Sequence, residues 1–238
     1  MSISTFILYF VIGALPAIVW LLFYLRQDVH PESNKKIIEI FLWGGIMVVP
    51  VYLAETILEC FFPEKDILLQ NTILLFIYYI FVVGVVEEFF KYWVVKKRVI
   101  NSSHLDEPID LMLYLIISGL GFAMVENLSV ILSSAALEEA IFVSLIRLLT
   151  AVFLHSLTAA ITGYFLAVSL YNRKKIFIAV GILIAATFHG LYNLSIIELN
   201  SAENLFSFLL PIVIIFLMAI IVYIFFKKVK CLPRGSKI

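Results

Sequence analysis

Val85-Val86-Glu87-Glu88-Phe89-Phe90-Lys91 closes a run of roughly twenty apolar residues. Ionisable side chains at membrane depth cost on the order of 2.5–3.5 kcal/mol each on insertion scales. A chain keeps them there only where its interior compensates or uses them. On a helix Lys91 stands at i+4 from Glu87 and i+3 from Glu88, within reach of either carboxylate. The two glutamates lie about 100° apart around the axis, so both face one interior sector only if that sector is wide. A site here needs partners that other segments bring to this pair.

The 238 residues are 63% hydrophobic and 14% charged, with a mean hydropathy of +1.08. That composition excludes a water-soluble domain and predicts an all-α, polytopic membrane protein. Seven stretches are long enough to cross about 30 Å of hydrocarbon at 1.5 Å per residue. They run approximately Ile3–Leu25, Ile37–Phe61, Ile67–Val95, Ile109–Ser133, Ala140–Tyr171, Ile176–Leu199 and Leu205–Phe226. The runs are solidly apolar without alternation, which argues against strands. Residues 1–238 are expected to form a single transmembrane domain whose motif-bearing core spans about 87–193. Net charge is zero, which gives no argument for a nucleic-acid partner. Cys60 and Cys231 fall near opposite predicted faces, so neither a disulfide between them nor a cysteine-based metal site is expected. The N-terminal run has no basic n-region and is too long for a cleaved signal, so it reads as a retained span.

Lysine and arginine set the orientation. Arg26, Lys35 and Lys36, then Lys96, Lys97 and Arg98, then Arg173, Lys174 and Lys175, and finally Lys227, Lys228, Lys230, Arg234 and Lys237 fall on one side, against Lys65 alone on the other. This bias predicts an N-terminus outside and a C-terminus in the cytoplasm. Glu39 and Glu55 lie near the two ends of the second stretch, where headgroups and water are in reach, and Pro16, Pro50 and Pro211 predict kinks.

The third to sixth stretches carry the chemistry. The fourth contains Gly121-Phe122-Ala123-Met124-Val125-Glu126-Asn127, with Asp110 at its start. The fifth holds Arg147 and then His155, eight residues on, and the sixth holds His189-Gly190-Leu191-Tyr192-Asn193, with His189 and Asn193 at i and i+4 on one face. Glu87 falls roughly 14 Å and His189 roughly 20 Å from the nearest cytoplasmic charges, and Glu126 roughly 25 Å above Ile109. One cluster spanning four helices fits that depth. Each residue also has a plainer reading: a glutamate neutralised by Lys91, a protonated glutamate bonding between helices, a structural histidine, and an Arg147 paired to an acid. Four successive spans placing such side chains at one depth favour a site.

The order Glu-Glu-x-x-Lys, Gly-Phe-Ala-x-x-Glu-Asn, a histidine span ending in Gly163-Tyr164-Phe165-Leu166, then His-Gly-x-x-Asn resembles the PrsW family of intramembrane proteases, within the wider superfamily of CAAX prenyl proteases and bacteriocin-processing enzymes. The resemblance covers about Glu87 to Asn193. It departs from the family at Asp110-Leu111, where a glycine often follows the aspartate. It implies a multi-pass cell-membrane hydrolase that cuts a membrane-anchored protein, an anti-sigma factor being the best-known target. It also implies catalytic roles for Glu87, Glu88, Glu126, His155 and His189.

Amide hydrolysis needs an activated water, stabilisation of the oxyanion and a proton for the leaving amine. Glu87, with Glu126 or His155 nearby, is expected to polarise the water. Lys91 is expected to pair with Glu88, Arg147 to give structural support, and Asn193 with His189 to face the carbonyl oxygen. Asn127 is expected either to orient Glu126 or to touch substrate. This reading favours a glutamic protease without a resident metal. A zinc-dependent version on the same histidines and carboxylates is the alternative, although no His-Glu-x-x-His occurs. A proton- or cation-coupled transporter would want an inverted repeat, which is not found. A retinal-type receptor would want a lysine in the seventh span, which has none before Lys227.

Overall fold

A computed structural model describes residues 2–27, 30–201 and 205–232. Arg234 and Lys237, counted above toward the cytoplasmic charge, lie outside the described residues. The described elements are helical throughout: α1 (Ile3–Leu25), α2 (Asn34–Ile46), α3 (Val48–Glu59), α4 (Lys65–Leu69), α5 (Thr72–Tyr78), a π-helical turn (Tyr79–Gly84), α6 (Val85–Arg98), α7 (Pro108–Leu132), α8 (Leu137–Leu149), α9 (Ala151–Tyr171), α10 (Ile176–Ser201) and α11 (Leu205–Lys230). Taken as continuous rods, they make seven segments long and apolar enough to cross a membrane. The chain is a multi-pass membrane protein. Large apolar side chains such as Phe142, Phe216 and Tyr223 stand exposed on its flanks, as a lipid-facing surface requires and a water-facing one rarely tolerates.

Three of the seven rods are interrupted, and each interruption has a local cause. Pro50 has no N–H to give the Ile46 carbonyl and its ring crowds that oxygen, so α2 ends at Ile46 and α3 starts at Val48. Pro16 and Pro211 sit inside continuous helices, so only one of the three prolines coincides with a break. The third rod is not continuous from Ile67. The short α4 comes first, and the Asn71 side chain then caps α5 by accepting from the Leu74 N–H at 3.0 Å. The fifth rod breaks at Thr150 (φ −120°, ψ −98°), whose hydroxyl donates back to the Ile146 carbonyl at 2.8 Å and competes with the helix ladder.

The core is organised around α7, buried along most of its length and packed against α9, α1 and α2. Pro108 opens it, and Asp110 turns back to accept the Glu107 N–H at 2.7 Å. Asp110 is thus a helix cap. At the lysine-rich end, buried Lys36 donates to the Arg98 carbonyl at 2.7 Å and to Glu39 at 3.1 Å, tying α2 to the end of α6.

Candidate active site

Glu87 and Glu88 occupy the first turn of α6, directly after the π turn. A π turn carries more residues per turn than the α-helix on either side, so it rotates everything that follows, and such turns recur at functional sites. Two glycines let α10 press against it. A Cβ on Gly84 would lie 2.7 Å from the Ala186 carbonyl oxygen, and one on Gly190 would lie 3.0 Å from the Ile80 backbone nitrogen. The crossing carries His189 to the glutamates. Glu87, Glu88, Lys91, His155 and His189 are all buried.

Lys91 Nζ lies 2.8 Å from Glu88 Oε1, 3.2 Å from Glu87 Oε2 and 2.8 Å from His155 Nδ1. The expected pairing with Glu88 is present, and the lysine reaches Glu87 and His155 as well. Because an ammonium only donates, His155 accepts at Nδ1 and carries its proton on Nε2, which donates to Glu126 Oε2 at 2.6 Å. His189 presents Nδ1 to Glu88 Oε1 at 3.3 Å, which leaves the Nε2 lone pair facing Glu87 Oε1 at 3.9 Å. The two imidazoles meet edge to face with centroids 5.2 Å apart. Arg147 Nη2 lies 3.5 Å from Glu126 Oε1. Three carboxylates therefore share the cluster with two fixed cations, a local excess of one negative charge when the histidines are neutral.

The cluster opens onto a cavity of about 430 Å³ whose walls include Tyr79, Val83, Glu126, Arg147 and Asn193. Glu126 keeps 38% of its side-chain surface accessible because it faces this space. Asn193 lines the same cavity as His189. Asn127 does not: its amide donates to the Gly13 carbonyl at 2.7 Å and its oxygen accepts from Arg147 Nε at 2.6 Å, so both polar ends are held inside the α1–α7–α8 packing. Arg147 and His155 sit on separate helices across the Thr150 break, so helical periodicity does not relate them. Both turn to Glu126.

The donor set fits a divalent metal. One ligand atom each from Glu87, His155 and His189 lies within 4.8 Å of the other two. Glu87 stands 3.6 Å from His155 Nδ1 and 3.9 Å from His189 Nε2. Those gaps are too wide for hydrogen bonds, and slightly wider than the edge of about 3.4 Å implied by tetrahedral bonds of about 2.0–2.1 Å. Each imidazole is backed by a carboxylate on its other nitrogen, the arrangement that orients metal-ligating histidines. The one conflict is Lys91, which holds the Nδ1 lone pair of His155 and has to withdraw toward Glu88.

A sequence profile described as "PrsW family intramembrane metalloprotease" matches residues 32–224. The chain belongs to the PrsW family. Among its relatives, Protease PrsW of Oceanobacillus iheyensis is 26% identical over 183 residues, covering 76% of this chain and 79% of that one. Protease PrsW of Geobacillus kaustophilus is 26% identical over 188 residues, 76% of each, and that of Bacillus subtilis is 24% identical over 206 residues, 85% and 87%. No solved structure matches the chain. As a PrsW-family member the chain is an intramembrane protease, and the family is described as one of metalloproteases.

One acid departs from its expected environment. Glu55, expected to reach water or headgroups, has an Oε1 that is buried with no hydrogen-bond partner. Its spacing from Glu59, one helical turn, was the only available signal.

Proposed function

We propose that this protease hydrolyses a peptide bond of a membrane-anchored protein at the Glu87–His155–His189 cluster, with those three side chains holding a divalent metal, zinc by donor type. The observation that carries the reading is the convergence of three ligand atoms from three helices, with a separate carboxylate behind each imidazole. A divalent metal held there would supply a Lewis acid able to activate water and to stabilise negative charge developing on oxygen.

The chain's own groups do the rest. Glu126 orients His155 through Nε2, and its cavity-facing carboxylate takes the water's proton and returns it to the leaving amine. Glu88 orients His189. Lys91 neutralises Glu88, and Arg147 anchors Glu126. Asn193, on the cavity wall beside His189, donates to the substrate carbonyl, where a preorganised donor contributes roughly 2.7–4 kcal/mol. Asn127 serves packing. A second reading keeps Lys91 on His155 Nδ1, which bars that nitrogen from a metal, and makes Glu87 the base of a metal-free glutamic protease. The N-terminus lies outside in both, and an anti-sigma factor is the specific substrate candidate.

The test is cleavage of single-span reporters in liposomes by the wild type, Glu87→Gln and His189→Ala, with and without a chelator. Loss of cleavage in both variants, and chelator loss reversed by zinc, is the expected result. Cleavage that survives both substitutions removes these residues from the mechanism. Cleavage that needs both residues but ignores the chelator selects the metal-free reading.

A further inference from the structure

At the lysine-rich end of the bundle, α2 and α6 enclose a cavity of about 390 Å³ lined by Trp43, Met47, Trp93, Val94, Lys97 and Arg98. It lies apart from the catalytic cluster, since Lys97 stands about 15 Å along α6 from Glu87. Its two parts differ in chemistry. At the rim, the Arg98 guanidinium lies 4.2 Å from the Trp43 ring centroid and the Lys97 ammonium 4.8 Å from that of Trp93. Lys96 also stands over Trp93, at 5.6 Å. Below the rim the walls are apolar: Met47 closes α2 about 16 Å beyond Lys36, and Val94 is buried one turn before Arg98.

Stacking on an aromatic face holds a cation in place without cancelling its charge. Lys36 and Arg98 share Glu39 at 3.1 and 3.6 Å, while Lys96 and Lys97 form no ion pair among the described residues. Four cations therefore stand around one carboxylate, an excess of three positive charges.

Leu42 and Ile46 on α2 and Phe89 and Trp93 on α6 are exposed, so this flank of the bundle faces acyl chains. Tryptophan, with cations above it and apolar walls below, belongs at the boundary between headgroups and hydrocarbon. A soluble anion matches the rim alone, whereas a phospholipid matches both parts. We propose that this cavity binds one anionic phospholipid, its phosphate between Lys97 and Arg98 and its glycerol and upper acyl chain against Trp43, Trp93 and Met47. Charge complementarity selects the headgroup, because basic pockets between transmembrane helices favour anionic lipids. A zwitterionic lipid brings a cation of its own to the same rim and is disfavoured. The site stands independently of the protease reading.

The pocket carries its own reporters, because Trp43 and Trp93 are two of the chain's three tryptophans. The third, Trp20, stacks on Phe153, and Trp20→Phe removes its background. This variant is reconstituted in phosphatidylcholine vesicles with an increasing share of brominated phosphatidylglycerol or brominated phosphatidylcholine, and quenching of tryptophan emission is read. Half-maximal quenching is expected at a share about tenfold lower for phosphatidylglycerol. Lys97→Gln should reduce that preference about fivefold, and Lys97→Gln/Arg98→Gln should abolish it. Lys174→Gln/Lys175→Gln, which removes the same charge from the turn between α9 and α10, should leave it unchanged, as should millimolar inorganic phosphate. Equal quenching by the two lipids, an equal loss in the Lys174→Gln/Lys175→Gln control, or relief by phosphate overturns the site. If Trp20→Phe does not fold, native mass spectrometry of the wild type gives the second measurement. Retained phosphatidylglycerol that Lys97→Gln/Arg98→Gln sheds supports the site; no retained lipid, or lipid that the substitutions leave in place, overturns it.

Discussion

Lys91→Met removes the only cation in contact with Glu87 and Glu88 among the described residues. Lys91 has no exposed surface, Glu88 has none, and Glu87 is 7% exposed. The ammonium makes contacts of 2.8 and 3.2 Å to the two carboxylates and 2.8 Å to His155. Removing one partner of a buried ion pair costs about 3–5 kcal/mol, because the other charge is left uncompensated. Here two carboxylates are left, so the upper end applies, and methionine fills the lysine stem closely enough that no large cavity adds to it. The assay is reversible unfolding of purified protein in mixed micelles titrated with SDS. Glu88→Gln in the same molecule should recover part of the loss by removing a charge that needs compensation. Zinc at about a hundredfold over its dissociation constant should recover about 2.7 kcal/mol, since a divalent cation supplies the missing positive charge. A Lys91→Met protein within about 1 kcal/mol of wild type, or a Glu88→Gln substitution that deepens the loss, would refute the assignment of Lys91 as the counter-charge of the cluster.

Other substitutions sort the roles further. Glu126→Gln leaves the three proposed ligands in place but weakens the orientation of His155. It should lower metal affinity about 10–100-fold by competition titration, and cleavage should stay low even at saturating metal, because the amide cannot take the water's proton. Gly84→Ala drives a methyl to 2.7 Å from the Ala186 carbonyl and should cost about 1–3 kcal/mol, with reduced cleavage per folded molecule because the crossing that delivers His189 opens. Asn127→Ala strands the Gly13 carbonyl and Arg147 Nε and should lower stability by about 1–3 kcal/mol while the surviving folded protein cleaves normally. Glu39→Ala breaks a partly exposed pair with Lys36 and Arg98 and should change stability by no more than about 1 kcal/mol in the same unfolding assay.

The seven spans were legible because solid apolar runs of the right length admit little else, and the Glu87–Glu88–Lys91 contact because i+3 and i+4 neighbours meet on any helix. The gathering of Glu126, His155 and His189 was legible only from their common depth and from the resemblance of their motifs. What stayed hidden depends on tertiary contact. Nothing in Tyr79–Gly84 marks a π turn; it forms where Gly84 and Gly190 let α10 close upon it. Thr150 breaks the fifth rod without a proline or glycine to announce it. Glu55 is expected to reach headgroups or water because its position near the end of a span says nothing about which way the helix is turned. For Asn127 the sequence offers either a partner of Glu126 or a substrate contact, but one residue's rotation past Glu126 sends its amide to the Gly13 carbonyl of α1 instead.

The central claim is that side chains from α6, α9 and α10 share one divalent metal. X-ray absorption at the zinc edge of the purified, cleavage-competent protein tests it most directly. The account predicts a first shell of two imidazole nitrogens and a carboxylate oxygen at about 2.0–2.2 Å, with one nitrogen lost in His155→Ala and the other in His189→Ala. A sulfur shell at about 2.3 Å, or a spectrum of hydrated zinc that neither substitution changes, would contradict it.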